Sequence, residues 1–503
     1  MMKKHHYIFF TVCLFSIVFA ALSCSSDDND GIPDPNDDMG TVDDDGMSSE
    51  IEAAQQATTT AITGGSSRTW RITSAQLTNS GGTIDVSDNF NIVDDEFIFI
   101  SNDIGGTLEW RPGFAINPDG TSAQDVANDY YIAPVQYPFI FEPESSDQLN
   151  SIDGNFTFTV IDENTITGTI AYPVRAAEGM LQITMGEKTS EDYAAPPTGG
   201  LTFSSSLTFE SGGIRGFAPG MIGSYSDNSL FFVTREDGLN DGTASPERII
   251  KFNLDEGTTE DNLYFNADFV SKQLHIIDNE LVVIGGQNVN TYPLDLSGDP
   301  TTNAHGLQIT RHGMAVQGDV AYIIGGDLNN PPVNGNKVFG YDLTTQTTAE
   351  VATLPENRYG ARASIVNDKL YIFGGTVDQF GETALNTLYI QDFASGSLTT
   401  ETMTTGAHYT FVDKFENLIY VAGQIDVRDG SGVIVGNDYF IGVYDTNTGT
   451  YEEIPTNLTS GTEFFTIHGM CIFNGNMYII FGGVGEDNGG DFPEWEILSA
   501  PIN

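Results

Sequence analysis

The chain has 503 residues, of which 19 are Lys or Arg and 70 are Asp or Glu, for a formal net charge of −51. This length exceeds what one hydrophobic core serves, so two or more domains are expected. Because nucleic-acid affinity comes from Lys and Arg that displace phosphate counterions, the charge argues against a nucleic-acid partner.

The residue types favour strands over helices. Gly (55), Phe (32) and Tyr (20) are abundant, and turn-forming residues recur about every ten positions. The sequence therefore predicts an all-β protein. The three cysteines are Cys13, Cys24 and Cys471, too few for a disulfide framework or a cysteine metal site, so neither a metal site nor a cofactor is predicted.

The first 23 residues have the pattern of a signal peptide. Lys3 and Lys4 precede an apolar run over residues 7–22, which has the length of a signal-peptide core. The run ends in Ala-Leu-Ser-Cys at residues 21–24, which resembles the lipobox of bacterial lipoproteins. The resemblance implies that Cys24 becomes the acylated first residue of the mature chain. An ordinary secretory signal followed by a chance cysteine is the alternative.

Residues 24–51 are predicted to be an acidic, disordered tether. Positions 25–50 hold ten acidic residues and no basic one, among Gly, Pro and Ser that bury little apolar surface. Asp27 and Asp28 resemble the acidic export signal of some Gram-negative lipoproteins, which implies a lipid anchor in the outer membrane and exposure at the cell surface. Residues 28–34 resemble a thrombospondin type 3 calcium loop, but one degenerate copy favours a solvated charge run.

Residues 52–196 are predicted to form a small β-barrel or β-sandwich. Segments at 96–100, 155–160 and 165–170 alternate apolar and polar residues, which buries one face of each strand. The Gly64-Gly65 pair and Trp70 just inside the first strand resemble lipocalin-like domains of bacterial surface lipoproteins. Such a domain holds an apolar ligand or serves as a spacer, and the lack of clustered His, Cys or paired carboxylates favours a spacer. Residues 194–200 are interpreted as a linker.

The second part, residues 201–503, contains a repeated strand that ends in two small residues. The copies lie at residues 281–286, 321–326, 370–375, 418–423 and 477–483. Turn signals such as Asn474-Gly475 precede them, and the pattern resembles the kelch repeat. The resemblance implies a six-bladed, galactose oxidase-like β-propeller. Residues 230–235 supply the remaining blade without the glycine pair, and the segment around 201–209 is expected to complete the last blade and close the ring.

Cationic and titratable residues recur where the innermost strands are expected to begin, at one mouth of the central channel. The candidate binding residues are Arg215, Lys272, His275, Arg311, His312, Arg358, Arg362, His408 and His468. The four histidines are expected at equivalent positions. In so acidic a chain, such a ring of donors indicates a site for a carboxylate, and an acidic sugar is the favoured ligand. The alternative is that these side chains hydrogen-bond neighbouring blades.

Three functions remain open on the sequence alone, and binding is favoured over catalysis. The first is a surface lipoprotein that binds a glycan or a protein through the propeller face. The second is a metal-free sugar mutarotase or epimerase, as in kelch-type sialic acid mutarotases, with Arg362, His312 or His468 as acid and base. The third is a structural or scaffolding lipoprotein. A copper oxidase is disfavoured because Cys471 is expected in a buried strand.

Overall fold

The structure is a computed structural model. It describes residues 49–79, 81–85, 95–101, 106–111, 135–151, 156–171, 180–210, 220–224, 228–235, 247–265, 272–277, 280–329, 331–379, 381, 383–458, 465–483 and 494–502. The predicted signal peptide, Cys24, the tether up to residue 48 and Arg215 lie outside these residues.

An α-helix that the sequence did not predict precedes the first strand. Helix α1 spans Ser49–Thr63, so the tether boundary drawn at residue 51 falls inside it. Glu50 and Glu52 in its first turn favour the positive end of the helix dipole. Gly64, at φ 59°, follows its last residue in the left-handed conformation that commonly terminates helices. In the described ranges, no helix has both the length and the apolar character needed to span a bilayer.

The first domain is a closed barrel of eight strands, so the prediction of a barrel or sandwich resolves to a barrel. Its sheet contains β1 Ser67–Asn79, β2 Gly82–Asp85, β3 Glu96–Ser101, β4 Gly106–Arg111, β5 Val135–Phe141, β6 Gln148–Ser151, β7 Phe156–Asp162, β8 Thr165–Ala171 and β9 Met180–Glu187. Strand β1 pairs with β3 and also with β9, which closes the barrel, while β2 pairs with β1 alone.

Large side chains fill the barrel. Trp70, Phe97, Phe99 and Phe158 are completely buried in one cluster, with edge-to-face ring contacts at 5.6 to 6.2 Å. Helix α1 joins this core, since the indole nitrogen of Trp70 donates to the carbonyl of Ile62 at 2.9 Å. Side chains therefore occupy the described part of the barrel interior.

The second domain consists of six four-stranded sheets. Blade 1 contains β11 Met221–Ser224, β12 Ser229–Arg235, β13 Glu247–Asn253 and β14 Thr258–Phe265, and blade 2 contains β15 Gln273–Ile277, β16 Glu280–Ile284, β17 Asn288–Pro293 and β18 Thr301–Ala304. Blade 3 contains β19 Gly313–Gln317, β20 Val320–Ile324, β21 Lys337–Asp342 and β22 Thr347–Thr353, and blade 4 contains β23 Arg362–Val366, β24 Lys369–Phe373, β25 Leu385–Asp392 and β26 Leu398–Ala407. Blade 5 contains β27 Tyr409–Phe415, β28 Leu418–Arg428, β29 Ile434–Asp445 and β30 Thr450–Ile454, and blade 6 contains β31 Phe465–Phe473, β32 Asn476–Gly483, β33 Glu494–Pro501 and β10 Ser204–Glu210.

The six blades form a closed ring, as predicted. The first strands of successive blades contact one another in order, and β31 returns to contact β11. Strand β10 pairs antiparallel with β33, so a segment from before the first blade completes the last one and leaves no open end in the ring. Blade 1 forms its four strands without the glycine pair.

The glycine pairs are needed where blades crowd the backbone. Gly325 and Gly326 have φ values of 60° and 71°. A Cβ on Gly325 would lie 2.2 Å from the carbonyl oxygen of Arg358, and one on Gly326 would lie 2.4 Å from that of Thr310. Both the conformation and the contact exclude a side chain.

The start of the segment predicted to be a linker, residues 194–200, is fixed to both domains. Just before it, Asp192 pairs with Arg71 of the barrel at 2.6 Å. The amide of Ala194 donates to Glu416 at 3.2 Å, and Asn417 donates to the carbonyl of Ala194 at 3.2 Å. Glu416 and Asn417 form the β27–β28 turn, so these hydrogen bonds tie the linker to blade 5.

Candidate functional site

The candidate site lies on the end of the ring where first strands begin and second strands end, which we call the glycine face. In blade 3, Gly313 at the start of β19 pairs with Ile324 at the end of β20, next to Gly325. The described chain segments 325–329, 331–336, 374–379 and 424–438 continue from this end of blades 3, 4 and 5. The predicted channel mouth is at the centre of this face.

Arg311 and Tyr409 form the centre of the described part of this face. The guanidinium of Arg311 lies 5.4 Å from the ring centroid of Tyr409, which begins the first strand of blade 5. Burial raises the pKa of the Tyr409 phenol, and the nearby Arg311 charge opposes that rise. Arg311 also donates to the carbonyl of Gln379, on the segment that follows the glycines of blade 4. An aromatic ring and a cation thus lie together at the mouth.

Arg428, at the end of β28, adds a second cation close to this pair. It forms an ion pair with Asp426 at 3.6 Å, and its charge acts on the Tyr409 phenol. The amide of Asp426 donates to Nδ1 of His408 at 3.1 Å, so His408 holds the base of this hairpin. Sequence analysis missed Tyr409 and Arg428. The sequence did contain one indication of Arg428, because it is the only arginine after Arg362 in a chain that is poor in basic residues.

Three of the predicted residues, Lys272, His312 and Arg362, form a buried cluster behind the mouth. Arg362 is 6% exposed and donates to the carbonyl of His312 at 2.8 Å. Burial lowers the pKa of Arg362 to about 10. His312 is fully buried, and burial together with the charges of Arg362 and Lys272 keeps its pKa well below the ordinary value. Arg362 therefore bonds the neighbouring blade, and His312 is neutral.

Arg358 is a structural cation rather than a surface donor. It is 0% exposed, lies 4.4 Å from the ring centroid of Tyr389, and donates to the carbonyl of Gly374 at 3.2 Å. Glu356 balances its charge at 3.0 Å. These contacts join the entry to β23 with the glycine turn of the same blade, and they leave no surface on Arg358 for a ligand.

The side chain of His468 also makes its contacts within the fold. Its ring stacks on Trp495 with centroids 3.8 Å apart and planes 12° from parallel, and its Nε2 lies 3.3 Å from the carbonyl of Gly482. Burial lowers the pKa of His468 to about 3, against the opposing effect of that carbonyl. The ring is neutral at physiological pH and is enclosed by blade 6.

The expectation of four equivalent histidines is wrong. His312 and His468 each precede a glycine at the same ladder position, Gly313 opposite Ile324 and Gly469 opposite Ile480. His408 lies two positions earlier, since Phe411 opposite Ala422 holds the ladder position of Gly313, and His275 lies inside β15 opposite Val282, where Asp413 acts on its charge. Arg and His recur near each strand start, but shifts of a few residues place them at different depths.

Apolar side chains are exposed on the segments around the mouth. Val427, Val433 and Val435 on the β28–β29 hairpin are 43%, 59% and 48% exposed, and Val333 on the blade 3 segment is 69% exposed. Strands β28 and β29 have 11 and 12 residues and carry this hairpin beyond β27 and β30. Apolar groups exposed at the same end of the ring as Arg311 and Tyr409 are typical of a binding surface.

Asp327 fixes the blade 3 segment. Its carboxylate accepts the amides of Val333 at 2.6 Å and Asn334 at 2.5 Å, and it also accepts the amide of Asn329. Burial alone would raise the pKa of Asp327, but these hydrogen bonds outweigh it and the pKa is lowered. This side of the mouth is therefore preformed.

In the part of the chain that the structure describes, no cluster of three or more His, Cys, Asp or Glu is arranged to hold a metal ion. Cys471 lies in β31 and is 1% exposed, as the sequence predicted. The groups that the sequence offered for mutarotase chemistry, Arg362, His312 and His468, are the buried ones. Among the described residues, the groups of the glycine face that remain partly exposed include Arg311, Tyr409, Arg428 and the apolar segments.

Comparison with known proteins identifies the class of the second domain. The family model of the KLHDC2/KLHL20/DRC7 Kelch-repeats domain matches residues 311–495, from the entry of blade 3 into blade 6. The protein is therefore an all-β chain with an eight-stranded barrel and a six-bladed propeller that carries a kelch-repeat domain.

Solved structures similar to this chain include the structure of YjhT, which is 14% identical with a TM-score of 0.37, and the match covers 57% of this chain and 95% of that one. The Neurospora crassa Pan2 WD40 domain is 9% identical with a TM-score of 0.37, and the match covers 60% of this chain and 97% of that one. The comparison with curated proteins gave no match.

Proposed function

We propose that this chain is an exported, lipid-anchored surface protein that binds a carboxylate-bearing ligand, an acidic glycan or an acidic protein segment, on the glycine face. The observation that carries the proposal is Arg311 over the ring of Tyr409, with Arg428 beside them, in a chain of net charge −51. Cations gathered at one mouth of so acidic a protein give a local site where an anion is attracted.

The ligand contacts are divided between two kinds of group. A planar guanidinium on Arg311 matches a carboxylate, and the Tyr409 ring offers a face for the apolar side of a sugar or side chain. The exposed valines of the β28–β29 hairpin add apolar surface on the same face. The lipobox at Cys24 and the acidic tether support the outer-membrane anchor, which would present this face to the exterior.

The test is a glycan array probed with the chain, followed by titration of the best acidic sugar. We expect binding to acidic sugars in preference to neutral ones. Arg311→Ala should weaken it by about tenfold, because a charge-assisted hydrogen bond is lost. Lys369→Ala is the matched control, since Lys369 is exposed at the β23–β24 turn on the opposite end of the ring.

Two results would count against this proposal. Absence of binding to acidic and neutral sugars, together with absence of binding to an acidic peptide, would leave a scaffolding role. Equal affinity of the Arg311→Ala variant and the parent chain would move the site away from the glycine face.

A further inference from the structure

A second concave site lies at the other end of the propeller, under the segment that joins the domains. It is a groove of about 440 Å³ between residues 191–198 and the blade 5 hairpin. Tyr193 and Pro196 form one side, and Phe415, Leu418 and Tyr420 form the other. This volume lies within the range of small-molecule sites, which combine apolar walls with a few polar groups.

Tyr420 lines the groove and carries a buried hydroxyl that a ligand could satisfy. Tyr420 is 0% exposed, and its hydroxyl has no hydrogen-bond partner among the described residues. Burial raises the pKa of Tyr420 to about 12, so the hydroxyl keeps its proton and is a donor. A buried polar group without a partner costs stability unless a bound molecule or water satisfies it.

The charge of the groove is a second feature relevant to a ligand. Glu191, Asp192 and Glu416 line it, and none of its lining residues, all of which the structure describes, is Lys, Arg or His. Arg71 neutralises Asp192 at 2.6 Å. Glu416 accepts the amide of Ala194 through Oε2, and among the described residues no donor is bonded to its other oxygen. The walls therefore present uncompensated negative charge.

The aromatic rings fit the same kind of ligand. Phe415 and Tyr193 line the groove, and aromatic ring faces attract cations and the apolar sides of sugars. Lys188 lies 4.3 Å from the Tyr193 ring centroid, but its ammonium is paired with Glu96 at 2.7 Å. One cationic contact to this ring is already made within the protein.

We propose that this groove binds a protonated, hydroxyl-bearing amine of monosaccharide size, such as an amino sugar. Its ammonium pairs with Glu416 and Glu191, a hydroxyl accepts from Tyr420, and the ring packs on Phe415. This site is independent of the glycine face, which takes anions.

The experiment is calorimetric titration of the full chain with D-glucosamine at neutral pH, with D-glucose as the uncharged match. We expect D-glucosamine to bind at least tenfold more tightly than D-glucose, because the ammonium adds a charge-assisted hydrogen bond. Glu416→Gln should weaken D-glucosamine binding about tenfold, and Tyr420→Phe should weaken it several-fold, which corresponds to one lost hydrogen bond.

Matched controls separate the ligand from the fold. Tyr341→Phe removes another hydroxyl that is buried without a partner, away from the groove, and Glu256→Gln removes a carboxylate from the turn after β13; both should bind D-glucosamine like the parent chain. Tyr420→Phe should leave the unfolding temperature without ligand unchanged or slightly higher, since no hydrogen bond within the protein is lost.

Each other outcome overturns the proposal. Absence of D-glucosamine binding excludes an amine site, and equal binding of D-glucose excludes the role of charge. Binding that is unchanged in both Glu416→Gln and Tyr420→Phe places the amine elsewhere. If Tyr420→Phe does not fold, D-glucosamine binding to Glu416→Gln alone tests the proposal, because Glu416 is exposed and its replacement leaves the core intact.

Discussion

Acidification below pH 6.5 will destabilise the propeller, and His468→Gln will remove a measurable part of that loss. The pKa of His468 is about 3 in the folded chain and 6.5 as the ordinary value. Its folded pKa is the lower one, so the unfolded chain binds the proton first. The stability that the neutral ring contributes is present above pH 6.5 and is lost as the pH falls from there towards 3. The loss approaches about 1.4 kcal/mol per pH unit for each such histidine.

His312 acts in the same direction, since its pKa is also held well below the ordinary value by burial and nearby cations. Carboxylates with lowered pKa, such as Asp327, begin to contribute only closer to the ordinary value of 3.8. Between pH 6.5 and 5 the slope therefore reports mainly on the buried histidines. Relief of the repulsion among the acidic residues opposes this loss, and the parent and variant chains share it.

Urea unfolding at several pH values measures this effect. Gln at position 468 keeps a donor for the carbonyl of Gly482 but does not titrate, so the stability of the variant should fall less steeply between pH 6.5 and 5. Lys369→Ala serves as a control that keeps all histidines. Parallel stability curves for the parent chain and His468→Gln would show that this ring is not buried and neutral in the folded state.

Arg358→Ala will lower the free energy of unfolding by about 3 kcal/mol, whereas Arg311→Ala will lower it by no more than about 1 kcal/mol. Arg358 is fully buried, stacks on Tyr389 and donates to Gly374, so its loss leaves a cavity and an unsatisfied carbonyl. Arg311 is only partly buried, and its contacts include a hydrogen bond to the carbonyl of Gln379 and the cation–π contact with Tyr409, so its loss opens no buried cavity.

The pair of variants separates structural from functional cations, which the sequence could not do. Denaturant unfolding gives the stabilities, and titration with the best acidic sugar gives the affinities. Stability should fall mainly in Arg358→Ala and affinity mainly in Arg311→Ala. Equal stability losses in the two variants would contradict the burial difference on which the site is assigned.

The propeller was predictable because its signals are local. A hairpin turn, an apolar strand and two small residues repeat in each blade, and Gly325 and Gly326 are needed wherever that geometry recurs. The role of β10 in closing the ring was predicted from the number of strands per blade, since the sequence supplied only three strands for blade 6. Helix α1 was missed because its sequence is polar and follows an acidic run, and its end is marked only by Gly64.

The site was less predictable because burial depends on packing between blades. Arg358, Arg362 and Arg311 look alike in sequence, each a few residues from a first strand. In the structure, Arg362 reaches the carbonyl of His312 on the preceding blade, so the alternative of bonds between blades holds for it. No sequence pattern indicated Tyr409 as a site residue, because it becomes one only through its contact with Arg311 from another blade.

Ring closure is the claim on which the channel mouth and the positions of its residues depend, and one cross-link tests it. The hydroxyls of Ser206 on β10 and Ser499 on β33 lie 2.8 Å apart. Replacing both with Cys should give a disulfide on oxidation, seen as a reducible shift on a denaturing gel that Ser206→Cys alone does not show. A double variant that remains uncross-linked would contradict the pairing of the first propeller strand with the last.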